Sequence, residues 1–307
     1  MIDYYLKTAL DTGGAQAQGG QQPQGQAQAD PQERPRRGRV VVTVTDSKGD
    51  TVVVDSSAPG KQGVNRHVWN LRYAGPTRLT FERSPAGEEE ENPFRVVAGP
   101  RVVPGTYTVT VTAGRNSASR TVTVQPDPIL GGAPAGFEAQ LRAGLEWRNA
   151  MSALNEMLNR IVSLETQLKN TQQALRDNAK GDTASTGPVL RQGRDLARKL
   201  KELKDSLYNS EVQRDAGSDN IHYLNRFHDR LQSAAFGLAF GYAQPPSEVQ
   251  ANRLKELRTE LDGYLAKFND LLQTDVAAFN KTAAERQAPI LVAGRPIEVK
   301  EVKIVSR

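Results

Sequence analysis

Arg120-Thr121-Val122-Thr123-Val124-Gln125-Pro126-Asp127-Pro128-Ile129-Leu130-Gly131-Gly132-Ala133-Pro134 is the stretch that decides how this chain is read. Before it, β-branched apolar and hydroxyl side chains alternate with a period of two, as on a half-buried strand. After it, apolar residues recur every three or four positions, as on an amphipathic helix. The prolines and paired glycines at its centre interrupt both patterns. A change of period across such a break divides the chain into two halves, which suits a length of 307 residues.

Upstream, Val40-Val41-Val42-Thr43-Val44-Thr45, the turn Asp46-Ser47-Lys48-Gly49-Asp50 and Thr51-Val52-Val53-Val54 read as strand, turn and strand. A third strand is expected from Asn65 to Arg72, around Val68 and Trp69. Tyr107, Val109 and Val111 alternate with threonines, and Arg120–Val124 repeats the pattern after a turn at Gly114-Arg115-Asn116. Short alternating strands of this kind predict a small antiparallel sandwich. Ile2-Asp3-Tyr4-Tyr5-Leu6 has strand character and is expected to join the same sheet. Residues 11–38 consist largely of Gly, Gln, Ala and Pro and end in Arg34-Pro35-Arg36-Arg37, so they are expected to be a disordered insertion. Ser84 to Pro100, with its acidic run Glu88 to Glu91, is expected to be a surface loop.

Downstream, Trp147, Met151, Leu154, Leu158, Ile161, Leu164 and Leu168 step by three and four, predicting one helix over 136–178. Gly181 to Pro188 reads as a loop. Leu196, Leu200, Leu203 and Leu207 mark a second helix, and Ile221, Leu224, Phe227, Leu231, Ala235 and Leu238 a third. Pro245-Pro246-Ser247 ends that helix and offers Ser247 as an N-cap. Leu254, Leu257, Leu261, Leu265, Phe268, Leu272 and Phe279 predict one long fourth helix. Four amphipathic helices joined by short breaks should pack as an antiparallel bundle. The tail, residues 287–307, carries Ile297, Val299, Val302 and Ile304 with the alternation of a strand; whether it joins the sandwich is open at this point.

Composition narrows the chemistry. The chain has no cysteine, which excludes disulfides, thiolate metal sites and a cysteine nucleophile. Forty basic against 35 acidic residues give a net charge of +5, a solubility-scale excess rather than a nucleic-acid footprint. No run approaches the roughly 18 apolar residues of a membrane span, and Met1 to Lys7 lack the form of a secretory signal. Of the three histidines, His222 and His228 stand six apart, a spacing that places them on different helix faces, and His67 lies on an expected sheet surface. No Gly-x-Ser-x-Gly elbow and no phosphate-cradling glycine loop occurs. Neither a metal nor a cofactor is expected. Arg191, Arg194, Arg198, Lys199, Lys201 and Lys204 on the second helix are interleaved with Asp195, Glu202 and Asp205, so the basic face reads as solvated and self-paired.

Two sets of residues resemble known proteins. Val64-Asn65-Arg66-His67-Val68-Trp69-Asn70-Leu71-Arg72, with Val103-Pro104-Gly105-Thr106-Tyr107-Thr108-Val109, resembles the flagellar hook-cap type of Ig-like module. Leu207-Tyr208-Asn209, Asn220-Ile221-His222-Tyr223-Leu224-Asn225-Arg226-Phe227, the Pro245-Pro246 break and Asp275-Val276-Ala277-Ala278-Phe279-Asn280 are similar to the C-terminal region of bacterial sortilin-like, BNR-repeat β-propeller proteins, often labelled glycosyl hydrolases. In that family a strand like Ile2–Leu6 follows the propeller. The resemblance covers nearly the whole chain except 11–38 and the tail.

The resulting expectation is an α+β chain in two parts. An antiparallel Ig-like β-sandwich over 39–126 takes residues 1–10 as its first strand. A linker at 127–135 leads to an antiparallel helical bundle over 136–286. Trp69, Tyr107 and Phe227 are the expected core anchors. By resemblance, an export signal and a propeller would precede this region, and any sugar-cleaving role would reside in that propeller. The expected role is therefore non-catalytic: a scaffold or partner-binding module, whose partner is another protein or the propeller itself. Two other readings stand beside it: a fragment of a glycoside hydrolase, or a binder of anionic surfaces or nucleic acid through Arg36, Arg37 and the second helix. The oligomeric state is not read from the sequence.

Overall fold

A computed structural model describes residues 1–11, 36–81, 98–129, 131–178, 183–209, 225–239, 241 and 243–302. The chain is α+β and divides into two compact units, one of Met1–Ala74 with Arg101–Phe137 and one of Gly75–Pro100 with Glu138–Arg307.

The first unit contains strands β1 (Ile2–Leu6), β2 (Leu10–Asp11), β3 (Arg36–Arg37), β4 (Val40–Thr45), β5 (Thr51–Ala58), β6 (Gly63–His67), β7 (Gly105–Ala113) and β8 (Asn116–Val124). An antiparallel sheet runs in the order β5-β4-β7-β8, and β1 pairs antiparallel with β6. Alternation explains the shared core. Val40, Val42 and Val44 on β4, and Tyr107 and Val109 on β7, are buried in one cluster, against which Ile2, Tyr4 and Leu6 of β1 also pack. The edge strand β8 is exposed along nearly its whole length. Its Ser117, Ser119, Thr121 and Thr123 stand opposite Thr112, Thr110, Thr108 and Thr106.

Several expectations for this half are corrected. The third strand ends at His67 rather than Arg72. Val68 is exposed, and Leu71 takes a left-handed φ of +58° that turns the chain out of the ladder. Most of 11–38 lies outside the described residues, but its ends are ordered. Leu10 pairs with Arg36, and Leu10 N donates to Gly60 O at 2.8 Å. The sheet unit is also not continuous over 39–126. The chain leaves it after Ala74 and returns at Arg101, and Gly75–Pro100 belongs to the helical unit. Of the expected loop at 84–100, residues 84–97 are outside the described set, and Gly99 and Pro100 are buried rather than on the surface.

The second unit contains α1 (Pro134–Asn178) from Glu138 onward, α2 (Thr183–Leu207), α3 (Phe227–Ser233), α4 (Ala235–Leu238), α5 (Glu248–Leu271) and α6 (Ala277–Glu285), with a π turn at Leu272–Val276 between the last two. The 45 residues of α1 span about 68 Å at 1.5 Å per residue. Its apolar stripe, including Trp147, Leu154, Leu158, Ile161 and Leu164, is fully buried in a core shared with α2, α3 and α5. Ser247 caps α5 as expected, through a reciprocal pair: Gln250 N donates to Ser247 Oγ at 3.3 Å and Ser247 N to Gln250 Oε1 at 2.9 Å.

Here too the boundaries shift. Thr183–Pro188 is helical rather than loop, with Pro188 inside α2 as its sixth residue. The third helix is two short ones, and Ile221 and Leu224 lie outside the described residues. The fourth helix is interrupted. The π turn at Leu272–Val276 falls within its buried stripe, which runs through Phe268, Leu272 and Val276. Beyond the π turn Phe279 and Ala283 remain buried in the same core. The tail forms no strand among the described residues; Leu291, Ile297 and Val299 are buried in the helical core instead.

Candidate functional site

The most specific polar arrangement lies along the helices that carry the tail. Residues 288–302 are extended but have no neighbouring strand. Buried backbone groups need partners, and here side-chain amides supply them. Asn280 accepts from Leu291 N at 2.7 Å and donates to Leu291 O at 2.9 Å. Asn269 does the same at Ile297, with both distances 2.9 Å. Gln167 brackets Val292 at 2.8 and 3.3 Å. Asn149 donates to Lys300 O at 2.8 Å, and Arg160 donates to Arg295 O. A carboxamide presents a syn N–H beside its carbonyl oxygen, so Asn280, Asn269 and Gln167 each bond the N–H and C=O of one residue, as a facing residue on an antiparallel strand does. Gly294 turns the strap with φ +73°, and a Cβ there would stand 3.4 Å from the Arg160 guanidinium.

A second extended segment is held the same way. Asn155 donates to Thr77 O at 2.7 Å, Ser152 accepts from Thr77 N at 3.1 Å, and Asn159 accepts from Thr80 N at 2.7 Å and donates to Arg78 O at 2.8 Å. Ser152, Asn155 and Asn159 stand three and four residues apart, on one face of α1. Asn149, Arg160 and Gln167 stand eleven and seven apart, on an adjacent face. The helix thus carries its core stripe and two polar rows, each row holding irregular chain. The carboxamides have no acid–base or nucleophilic chemistry in the usual pH range, and the Ser152 hydroxyl is engaged between Thr77 N and Arg148 O; what these groups do is bind main chain.

Reactive side chains are engaged in packing. In the sheet unit, Ser57 Oγ donates to Asp55 Oδ1 at 2.6 Å and His67 Nε2 stands 3.3 Å from Asp55 Oδ2. These are the residue types of a hydrolytic triad in the wrong order. The carboxylate sits between Ser and His, so the imidazole has no access to the hydroxyl proton. Burial opposes ionisation of Asp55, but the Ser57 hydroxyl and amide bonds and the His67 charge outweigh it and hold its pKa below the ordinary carboxylate value. His67 points inward, not to the sheet surface; its side chain is only 11% exposed. Beside this group, an open depression is lined by Leu10, Arg39, Ser57, Pro59 and Lys61.

In the helical unit, Arg230 grips Glu260 with its two terminal guanidinium nitrogens, at 3.0 and 2.5 Å, and lies over the Phe227 ring. Tyr264 closes the group, 5.2 Å from Phe227 between ring centres. Burial foremost, and then the Glu260 carboxylate, raise the Tyr264 pKa. His228 is buried against Tyr208. His222, Arg34 and Glu88 to Glu91 lie outside the described residues, and no group of three or more His, Asp or Glu able to hold a metal occurs among the described ones. On α2, Lys199 pairs with Asp275 at 2.5 Å, Lys201 with Asp205 at 2.5 Å, Arg198 with Glu202 at 3.1 Å, and Lys204 with Glu165. Much of the basic face is thereby neutralised. No described helix is long and apolar enough to cross a membrane.

Of the expected anchors, Tyr107 and Phe227 are buried, while Trp69 is half-buried and meets Tyr107 edge-on with ring centres 5.5 Å apart. The fully buried tryptophan is Trp147, whose Nε1 donates to Leu231 O at 2.8 Å. The amide clamps were not anticipated. Their one trace in the sequence is the recurrence of Asn149, Asn155 and Asn159 on a helix, a residue type that otherwise favours caps and turns. Compared with protein-family models, curated proteins and solved structures, the chain gives no match.

Proposed function

We propose that the chain is a non-catalytic scaffolding and partner-binding module, an Ig-like sandwich followed by a helical bundle, serving as the C-terminal part of an exported sortilin-like β-propeller protein. The observation that carries the binding role is the set of amide clamps: polar residues inside the helical unit are arranged to grip extended chain. The Ig-like reading is supported by Tyr107, whose hydroxyl donates to Val103 O four residues upstream at 2.7 Å, in the manner of a tyrosine corner. It is supported also by the single core that the two antiparallel sheets share. Leu207, Tyr208, Val276 and Phe279, which carry the family resemblance, are buried packing residues, as a scaffold requires.

The genomic DNA upstream of the Met1 codon gives the first test. An in-frame propeller is the expected finding, and a neighbouring gene of unrelated fold closed by a stop codon would oppose the reading. A panel of aryl glycosides separates module from hydrolase. The purified chain should give no turnover; turnover lost on substitution of a single Asp or Glu would overturn the non-catalytic role.

A further inference from the structure

We infer that the helical groove exchanges its strap with that of a second copy of the chain, so that two molecules join by trading residues 288–302. This does not rest on any place in a longer protein. Recognition in the groove is directed at main chain, by Asn280 at Leu291, Gln167 at Val292 and Asn269 at Ile297, with Leu291, Ile297 and Val299 as apolar anchors. All of these contacts are the same whether the strap arrives from its own chain or from another, so the balance is set by the hinge and by concentration.

The hinge favours exchange. Only Arg286 and Gln287 separate α6, ending at Glu285, from the strap at Ala288. Gln287 occupies the left-handed region at φ +56°, where a side chain is strained, to let Gln287 N and Ala288 N bond back to Ala284 O and Ala283 O. If α6 continues through Gln287, that strain is relieved and the strap is carried away from its own groove. Short, strained hinges are the setting in which swapping occurs. Pro289 and Pro296 restrict the released strap to extended conformations, so less freedom is lost when it docks again.

The absence of cysteine makes the test direct. One preparation of the full chain carries a donor dye at Asn170→Cys on α1, near Gln167; the other carries an acceptor at Ile290→Cys, an exposed strap position. On mixing at high concentration, energy transfer should grow slowly, and excess unlabelled chain should remove it. Gln287→Gly, which relaxes the hinge, should lower the transfer severalfold. Leu291→Asp in the acceptor chain should abolish it, and Asn269→Ala with Asn280→Ala in the donor chain should weaken it from the groove side. No transfer at any concentration would overturn exchange. Transfer that survives Leu291→Asp would overturn it equally, because the chains would then be meeting elsewhere.

Discussion

Strand β4 and the strap at 288–302 are both extended and partly apolar, yet they satisfy their backbones by opposite means. β4 lies between β5 and β7 and receives a ladder of main-chain bonds on both edges. The strap lies on helices, whose backbones are internally bonded, and takes side-chain amides instead. The ladder tolerates many side chains, since each strand bonds through its peptide groups. The clamps depend on individual residues. The sheet unit should therefore absorb polar substitutions that the helical unit does not.

The tryptophans divide conveniently, Trp69 in the sheet unit and Trp147 in the helical one. Trp147→Ala should cost about 3–5 kcal/mol by chemical denaturation, since it empties a buried site and leaves the Leu231 carbonyl without its donor. Trp69→Ala, half-buried, should cost about 1–3 kcal/mol. Equal losses would erase the contrast between a partly open sheet core and a closed helical one.

Gly144→Ala comes next. On an exposed helix the change would stabilise by about 1 kcal/mol. Here the new Cβ would stand 2.7 Å from Pro100 Cβ and 2.9 Å from Leu238 O, so a net loss of about 1–3 kcal/mol is expected in the same assay. Asn269→Ala should cost about 1–3 kcal/mol by orphaning the Ile297 peptide groups. Thr110→Ala, which removes only an exposed hydroxyl contact with Ser119, should stay within about 0.5 kcal/mol. A clamp variant as mild as the threonine variant would break the comparison.

The smallest effect concerns pH. Asp55 has a folded pKa below its unfolded value, so its contribution is complete above the unfolded value and is lost as pH falls through the folded one. Urea midpoints followed at Trp69 should decline between about pH 5 and pH 2, and Asp55→Asn should flatten part of that slope. An unchanged slope would remove Asp55 from the account.

Much of the fold was legible because periodicity is local. The alternation in Val40–Thr45 and the three-to-four stepping from Trp147 to Leu168 each declare their own element. What stayed hidden was non-local. Ile297 and Val299 alternate as a strand would, but a strand needs an edge, and the surface they meet is helical. Thr77–Thr80 comes after a strand in sequence and is bound instead to helix α1 by Ser152, Asn155 and Asn159. The π turn left no trace in the spacing, because Phe268, Leu272 and Val276 take the same two steps of four as Leu257, Leu261 and Leu265, which stay α-helical. The clamps escaped because asparagines on a helix carry no signal of what they grip.

Amide hydrogen exchange at Leu291, Val292 and Ile297 tests the clamping of the strap most directly. These residues belong to no helix or strand, yet their N–H groups are bound by Asn280, Gln167 and Asn269. Protection approaching that of the α5 amides is predicted, collapsing at Ile297 in Asn269→Ala. Exchange at the rate of a free peptide in the unsubstituted chain would contradict the account.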